Sequence, residues 1–166
     1  LWFDYPDRRQ TVAMVEEYFE RFQKGIDTLP NQRDAVAALT EPQPRTSPLL
    51  GILGPALGTV GRQAWRVKTH ELATITLVAI HRYAADTRDY PATLEGLIER
   101  GYLKRLPTDP YGRGALTYRR TGGGFLLYSW GPNLEDDGGR WGTGSRGEPN
   151  RWAENGDWVF WPIGRQ

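Results

Sequence analysis

Within the stretch YSWGPNLEDDGG, four oxygen-bearing side chains crowd into five residues: Asn133, Glu135, Asp136 and Asp137, bracketed by proline and glycine. Three adjacent carboxylates repel one another unless a cation sits among them. Asn133, Glu135 and Asp137 fall at i, i+2 and i+4, and Gly138 follows, which is the opening of the calcium loop D-x-[DN]-x-[DN]-G. Oxygens on alternate residues can converge on one ion while glycine allows the sharp turn. Position twelve of such a loop is Gly144, where a bidentate carboxylate is required, and no helices are expected to flank it. The stretch is therefore not an EF-hand. An all-oxygen set still suits Ca²⁺, a hard cation, whereas zinc wants His or Cys and neither is nearby. The plainer alternative is a turn in which Asp and Asn bond their own backbone and the exposed acids stay solvated.

Other chemistries find less support. His70 and His81 lie eleven residues apart on one expected helix and can share a face, but no nucleophile accompanies them: Ser129 and Ser145 have no G-x-S-x-G setting. A hydrolase built on the acidic loop would need a second carboxylate facing it, and Asp157 is the only one at a strand end. The run Thr121 to Gly124 lacks the Lys and following helix of a phosphate loop and reads as a hairpin turn. Five of the seven tryptophans lie between Trp130 and Trp161. In an extended DWVFWP, Trp158 and Phe160 share one face while Val159 and Trp161 share the other. Either one face packs on a helix and the other under a loop, or Trp141, Trp152, Trp158 and Trp161 form an exposed platform for a partner protein or glycan.

At 166 residues, with 21 Lys and Arg against 20 Asp and Glu, the chain is one domain or one domain plus an extension. The balanced, scattered charge gives no case for nucleic acid or an acidic membrane. The absence of cysteine removes disulfides, thiolate zinc and Cys nucleophiles. The chain begins at Leu1 without a Met or a visible signal peptide, as expected of a processed product or a fragment. The most apolar run, 47–61, is short and interrupted by Pro55 and glycines, which predicts buried chain rather than a membrane span.

The elements that must position these residues fall into a helical half and a glycine-rich, β-forming half. Val12, Val15, Phe19 and Phe22 are spaced as on a helix over 11–26. A short helix is expected over 32–39, before a Pro-rich connector at 40–48. A long helix is expected from Gly61 to Asp86, apolar on nearly every side around 72–80 and so central and covered on several faces. Asp89-Tyr90-Pro91 ends it. Thr93 is placed to cap a short helix over 94–100, with Gly101 as a left-handed stop. Strands at 115–120 and 124–129 read as an antiparallel hairpin, and 157–162 as the last strand. Between the second and third strands lie residues 130–156, too long a loop to be left without a ligand or other constraint.

The ordered set Tyr83, Tyr90-Pro91, Leu94, Leu97, Tyr102-Leu103, Leu106-Pro107, Asp109-Pro110, Gly112, Tyr118, Tyr128-Ser129, Gly131, Asn133, Gly138-Gly139 and Asp157 resembles the C-terminal domain of type II secretion major pseudopilins and related pilin-like extracytoplasmic proteins. The resemblance covers about residues 71–162. It implies a long helix packed on a small antiparallel sheet and a calcium ion holding the loop before the last strand. The positions matching the family's ligands are Asn133, Asp136, Asp137 and Asp157, with Ser129 a weaker candidate; Glu135 is expected to point away. Residues 1–60 match nothing in the family, whose N-terminal apolar anchor helix has no counterpart here.

The expectation is therefore an α+β fold: a helical extension over 1–60, then a long helix on a three- or four-stranded antiparallel sheet over 61–166. As implied by the resemblance, the domain performs no chemistry. Its calcium, taken up where the ion is near millimolar outside the cytoplasm, would shape a surface for other protein subunits or self-assembly. The alternatives are a metal-free accessory subunit docking through its tryptophans and, behind it, a hydrolase using the acidic loop.

Overall fold

The structure is a computed structural model that describes residues 7–31 and 48–162. The expected helix over 32–39 and most of the Pro-rich connector lie outside the described residues. The chain divides into two compact units, Leu1–Val67 and Lys68–Gln166. The expected boundary at residues 60 and 61 and the observed one at 67 and 68 both fall inside a single helix.

In the first unit, α1 spans Arg8–Asp27. It starts where it does because Asp7 and Gln10 form a capping box: the Asp7 carboxylate accepts from Gln10 N at 2.8 Å, and Gln10 Oε1 accepts from Asp7 N at 2.9 Å. The helical spacing holds, but the buried stripe is rotated from the one expected. Tyr18 and Phe22 are buried, whereas Val12 and Phe19 are 48% and 46% exposed. Tyr18 lies one residue, about 100°, away from Phe19 and takes the inward position.

The long helix, α2, runs Pro48–Thr87 and so begins well before Gly61. Pro48 stands in its first turn, where a missing N–H costs nothing. The run read as buried, broken chain is helical instead, with Val60 56% exposed. Within the second unit only one side of α2 is covered. Thr69, Ala73, Thr76, Ala79 and Ile80 are buried at helical spacing, while Ile75 and Val78 on the opposite side are 42% and 54% exposed. The expectation of cover on several faces fails because a single small sheet offers only one packing surface. The buried stripe is mostly Ala and Thr, which lets the helix sit close; Thr76 satisfies its hydroxyl by donating to Leu72 O at 2.9 Å.

After α2 comes the short helix α3, Glu95–Glu99. Its N-cap is Leu94 with no side-chain cap bond, so Thr93 does not cap it; Thr93 bonds the Glu95 carboxylate instead and lowers its pKa. Gly101 does end it. Tyr102 N donates to Leu97 O at 2.8 Å and Gly101 N to Ile98 O at 2.9 Å, the paired bonds of a Schellman stop, with Gly101 at φ 75°.

The sheet has the order β1 (Thr117–Thr121), β2 (Gly124–Ser129), β5 (Trp158–Trp161), all antiparallel. A separate ribbon of β3 (Gly142–Thr143) and β4 (Pro149–Asn150) lies within the long loop. The central strand β2 is buried from Phe125 to Ser129 because both faces of the sheet are covered. One face packs on α2, where His70 meets Phe160 and His81 meets both Phe125 and Trp161. On the other, Leu126, Tyr128 and Val159 form a cluster under Trp130 and Trp141 from the loop. Full burial of Leu127, Val159, Ile80 and Leu97 stabilises the unit by about 1.5–3 kcal/mol each.

A bulge between Leu127 and Tyr128 shifts the β2–β5 register, pairing Leu127 with Trp161 and Tyr128 with Val159. Directly opposed residues share a face, so Trp161 lies on the Phe125 side, stacked at 5.6 Å and 14°, and not with Val159 as strict alternation predicts.

Candidate metal loop

The loop of residues 130–156 is closed on itself by backbone contact. A Cβ on Gly156 would lie 2.6 Å from Gly142 Cα and 2.9 Å from the Trp141 carbonyl carbon, closer than real atoms approach. Asp157 N donates to Arg140 O at 2.9 Å, and Asn155 bonds Thr143 through both its amide oxygen and nitrogen. Gly156→Ala is therefore expected to cost about 1–3 kcal/mol, read as a lower urea midpoint with unchanged slope. An unchanged midpoint would show that the two loop segments are not held in contact.

This closure carries Asp157, at the start of β5, to the acidic stretch. Asp157 is fully buried. Its Oδ2 accepts from Gly139 N at 2.6 Å, while Oδ1 is buried without a hydrogen-bond partner among the described residues. Asp136 Oδ1 accepts from Tyr128 OH at 2.8 Å and from Gly138 N at 2.9 Å. Asp137 Oδ2 accepts from Asn133 Nδ2 at 2.9 Å. Each of the three carboxylates is thus anchored through one oxygen; Asp136 is exposed and Asp137 half-buried, so only the second oxygen of Asp157 is buried without a close partner among the described residues. Burial is the main reason the Asp157 pKa is pushed up to about 7, and the Asp137 and Asp136 charges push the same way, against the bonds from the Gly139 and Asp137 amides. The Tyr128 hydroxyl is raised by burial and by its bond to Asp136.

The backbone is bent to this end. Leu134 adopts φ 61°, a left-handed conformation that costs a residue with a Cβ roughly 1–2 kcal/mol. It turns the chain between Asn133, whose Oδ1 accepts from Glu135 N at 3.4 Å, and Glu135, whose side chain is exposed. Arg140 donates from Nε to the backbone Asp137 O at 2.9 Å. Among the described residues no three His, Cys, Asp or Glu side chains converge as a ready-made metal cluster. Asp157 feels the charges of Asp137 and Asp136 without the three carboxylates converging on one point, and Asn133 is held against Asp137.

Ser129 is used elsewhere. Its Oγ donates to Asp109 Oδ1 at 2.7 Å and accepts from Gly131 N at 3.3 Å. Asp109, given no role of its own by the sequence, is fully buried and ties its own turn to the end of β2. Besides Ser129 it accepts from Tyr111 N at 3.0 Å and from Trp130 N at 3.4 Å. Burial raises its pKa, and these bonds oppose the rise. From sequence, Ser129 is a weaker candidate metal ligand and is not paired with Asp109.

Of the tryptophans considered as a docking platform, Trp158 is buried while Trp141, Trp152 and Trp161 are partly exposed. Trp158 is 3% exposed and cannot present a face to a partner; its Nε1 donates to Ala153 O at 3.2 Å. Trp152 lies 4.4 Å from the His70 ring with the Arg151 guanidinium 4.5 Å over its own ring. Trp141 covers the Leu126–Val159 cluster, and Trp161 stacks on Phe125. His70 and His81 are both engaged in this aromatic packing.

Compared with known proteins, the chain matches no family model, no curated protein and no solved structure. Among the described residues no helix is long and apolar enough to cross a membrane.

Proposed function

We propose that residues 61–166 form a non-enzymatic, pseudopilin-like structural module whose acidic loop takes up calcium. The observation that carries this reading is the buried, unpartnered Oδ1 of Asp157 beside the Asp136 and Asp137 carboxylates. A buried carboxylate oxygen left unpaired is costly, and a hard divalent cation is the partner that would offset the charge of all three acids at once. Asp157, Asp137 and Asp136 would supply the carboxylate oxygens, with Asn133 contributing only if its bond to Asp137 is exchanged. Calcium would there neutralise the acids and pin the loop to the last strand.

The order of elements, long helix, short helix, hairpin, acidic loop and final strand, supports the same reading. An extracytoplasmic setting goes with it, because loop sites of this kind fill usefully where calcium is near millimolar. The shaped surface would serve assembly with other subunits or with further copies. A metal-free docking role for the tryptophan face is the weaker reading, since Trp158 is buried and its neighbours pack inward.

Calorimetric titration after EGTA treatment should show saturable binding of Ca²⁺ and little of Mg²⁺, together with a calcium-specific rise in Tm. A flat titration at millimolar calcium would return the stretch to a solvated turn.

A further inference from the structure

We propose that a second, separate site binds the oxyanion, carboxylate or phosphate, of a small organic ligand in the cleft between the C-terminus of α2 and the β1–β2 turn. The cleft has a volume of ≈ 360 Å³ and is walled by Arg88, Asp89, Tyr90, Arg120 and the turn glycines, none of which belongs to the acidic loop. A volume of that order accommodates a small ligand.

Two opposite departures from ordinary backbone preference meet there. Arg88 directly follows α2 at φ 60°, a left-handed position normally given to Gly or Asn. A cation is favoured near a helix C-terminus, which accounts for the charge but not for placing a β-carbon in this conformation. Across the cleft, Gly122 and Gly123 stand where glycine is not needed. Neither has a left-handed φ, and a Cβ on either would meet no atom within 4 Å. Bulk is present where the backbone disfavours it and absent where the backbone would accept it. The outcome in both cases is a cationic, open cleft.

The donors are also unspent. Arg120 bonds Asp89 only through Nη2, at 2.6 Å to Oδ1 and 2.7 Å to Oδ2, so Nε and Nη1 remain free. An exposed ion pair of this kind contributes little to stability, but it fixes the guanidinium and neutralises the carboxylate. Arg88 has no side-chain partner among the described residues, and the Gly122 and Gly123 amides have no backbone acceptor among them. Two arginines and two glycines with donors to spare line one cleft, a set that suits an oxyanion, which Arg recognises through paired N–H bonds. The Tyr90 ring provides a wall for the body of the ligand.

The test follows the Gly122 and Gly123 amide resonances and the Arg120 Nε resonance during titration with inorganic phosphate, glucose 6-phosphate and glucuronate, with glucose as the neutral control. Saturable shifts with a Kd near or below about 1 mM for at least one anionic probe, and none for glucose, are expected. Response to the phosphates alone assigns a phosphate ligand, and response to glucuronate alone a carboxylate. Arg88→Gln should weaken binding at least about tenfold, and Gly123→Leu, which fills the cleft, should abolish it with Tm unchanged. No saturation by any anion, equal response to glucose, or full binding by the Gly123→Leu protein would overturn the proposal.

Discussion

Asp157→Asn is expected to raise the Tm of the calcium-free protein at about pH 8 and to abolish its response to calcium. The folded-state pKa of Asp157 is pushed up to about 7, above its ordinary value, chiefly by burial. Between the two values the folded state holds a proton that the unfolded state has released. Stability of the calcium-free protein therefore falls as pH rises from about 4 to about 7, and the whole loss, up to a few kcal/mol, is present above that range. Asparagine keeps an oxygen for the Gly139 amide and carries no charge, so it escapes the loss. In a domain of roughly a hundred residues each kcal/mol moves Tm by about 4–8 °C. The variant's advantage should shrink to about a third at about pH 5 and vanish only at about pH 4 or below, where the aspartate is protonated in the unfolded chain as well.

Calcium reverses the order. With the ion bound, the wild-type carboxylate becomes an asset, and the calcium-induced gain in Tm should be larger at about pH 8 than at about pH 5, where protons compete for the site. A pH-independent difference between the two proteins would show that the buried charge is not what separates them. A calcium response retained by Asp157→Asn would remove Asp157 from the ligand set.

Asp109→Ala should produce the larger loss in stability, about 3 kcal/mol or more. The substitution strands the buried Ser129 hydroxyl and the Tyr111 and Trp130 amides, and each unpaired buried group costs about 1–3 kcal/mol. Asp109→Asn retains one acceptor oxygen but turns an NH₂ toward donors, and should lose roughly half as much. Urea unfolding with an unchanged slope reads both. A loss below about 1 kcal/mol for the alanine variant would show that water replaces the carboxylate and that the two segments are not tied through it.

The sequence carried the local signals well because each rests on a few neighbouring residues. Gly101 marked a helix stop and the run Thr121 to Gly124 a hairpin turn, and both stand where expected. The α+β class followed from the same punctuation. The inward faces were less legible. Phe19 and Tyr18 are adjacent and both aromatic, so periodicity alone did not choose between them, and Pro55 with its neighbouring glycines concealed the start of α2. Trp161 was assigned to the wrong face because one bulged residue, invisible in composition, reverses the alternation of everything after it.

The acidic site shows the same division. The sequence by itself determined which oxygens are available, Asn133, Asp136, Asp137 and the distant Asp157, and that zinc chemistry lacks its ligands. Only the tertiary structure decided that Gly142 and Gly156 close the loop, that Asp157 becomes a buried carboxylate with one oxygen unpaired, and that Ser129 serves Asp109. The arginine and glycine cleft is likewise a product of folding, since Arg88 and Arg120 are joined by no local pattern. Residue types and short spacings fix the chemistry a chain can offer. Burial and the pairing of distant segments decide which of those groups are left wanting a partner.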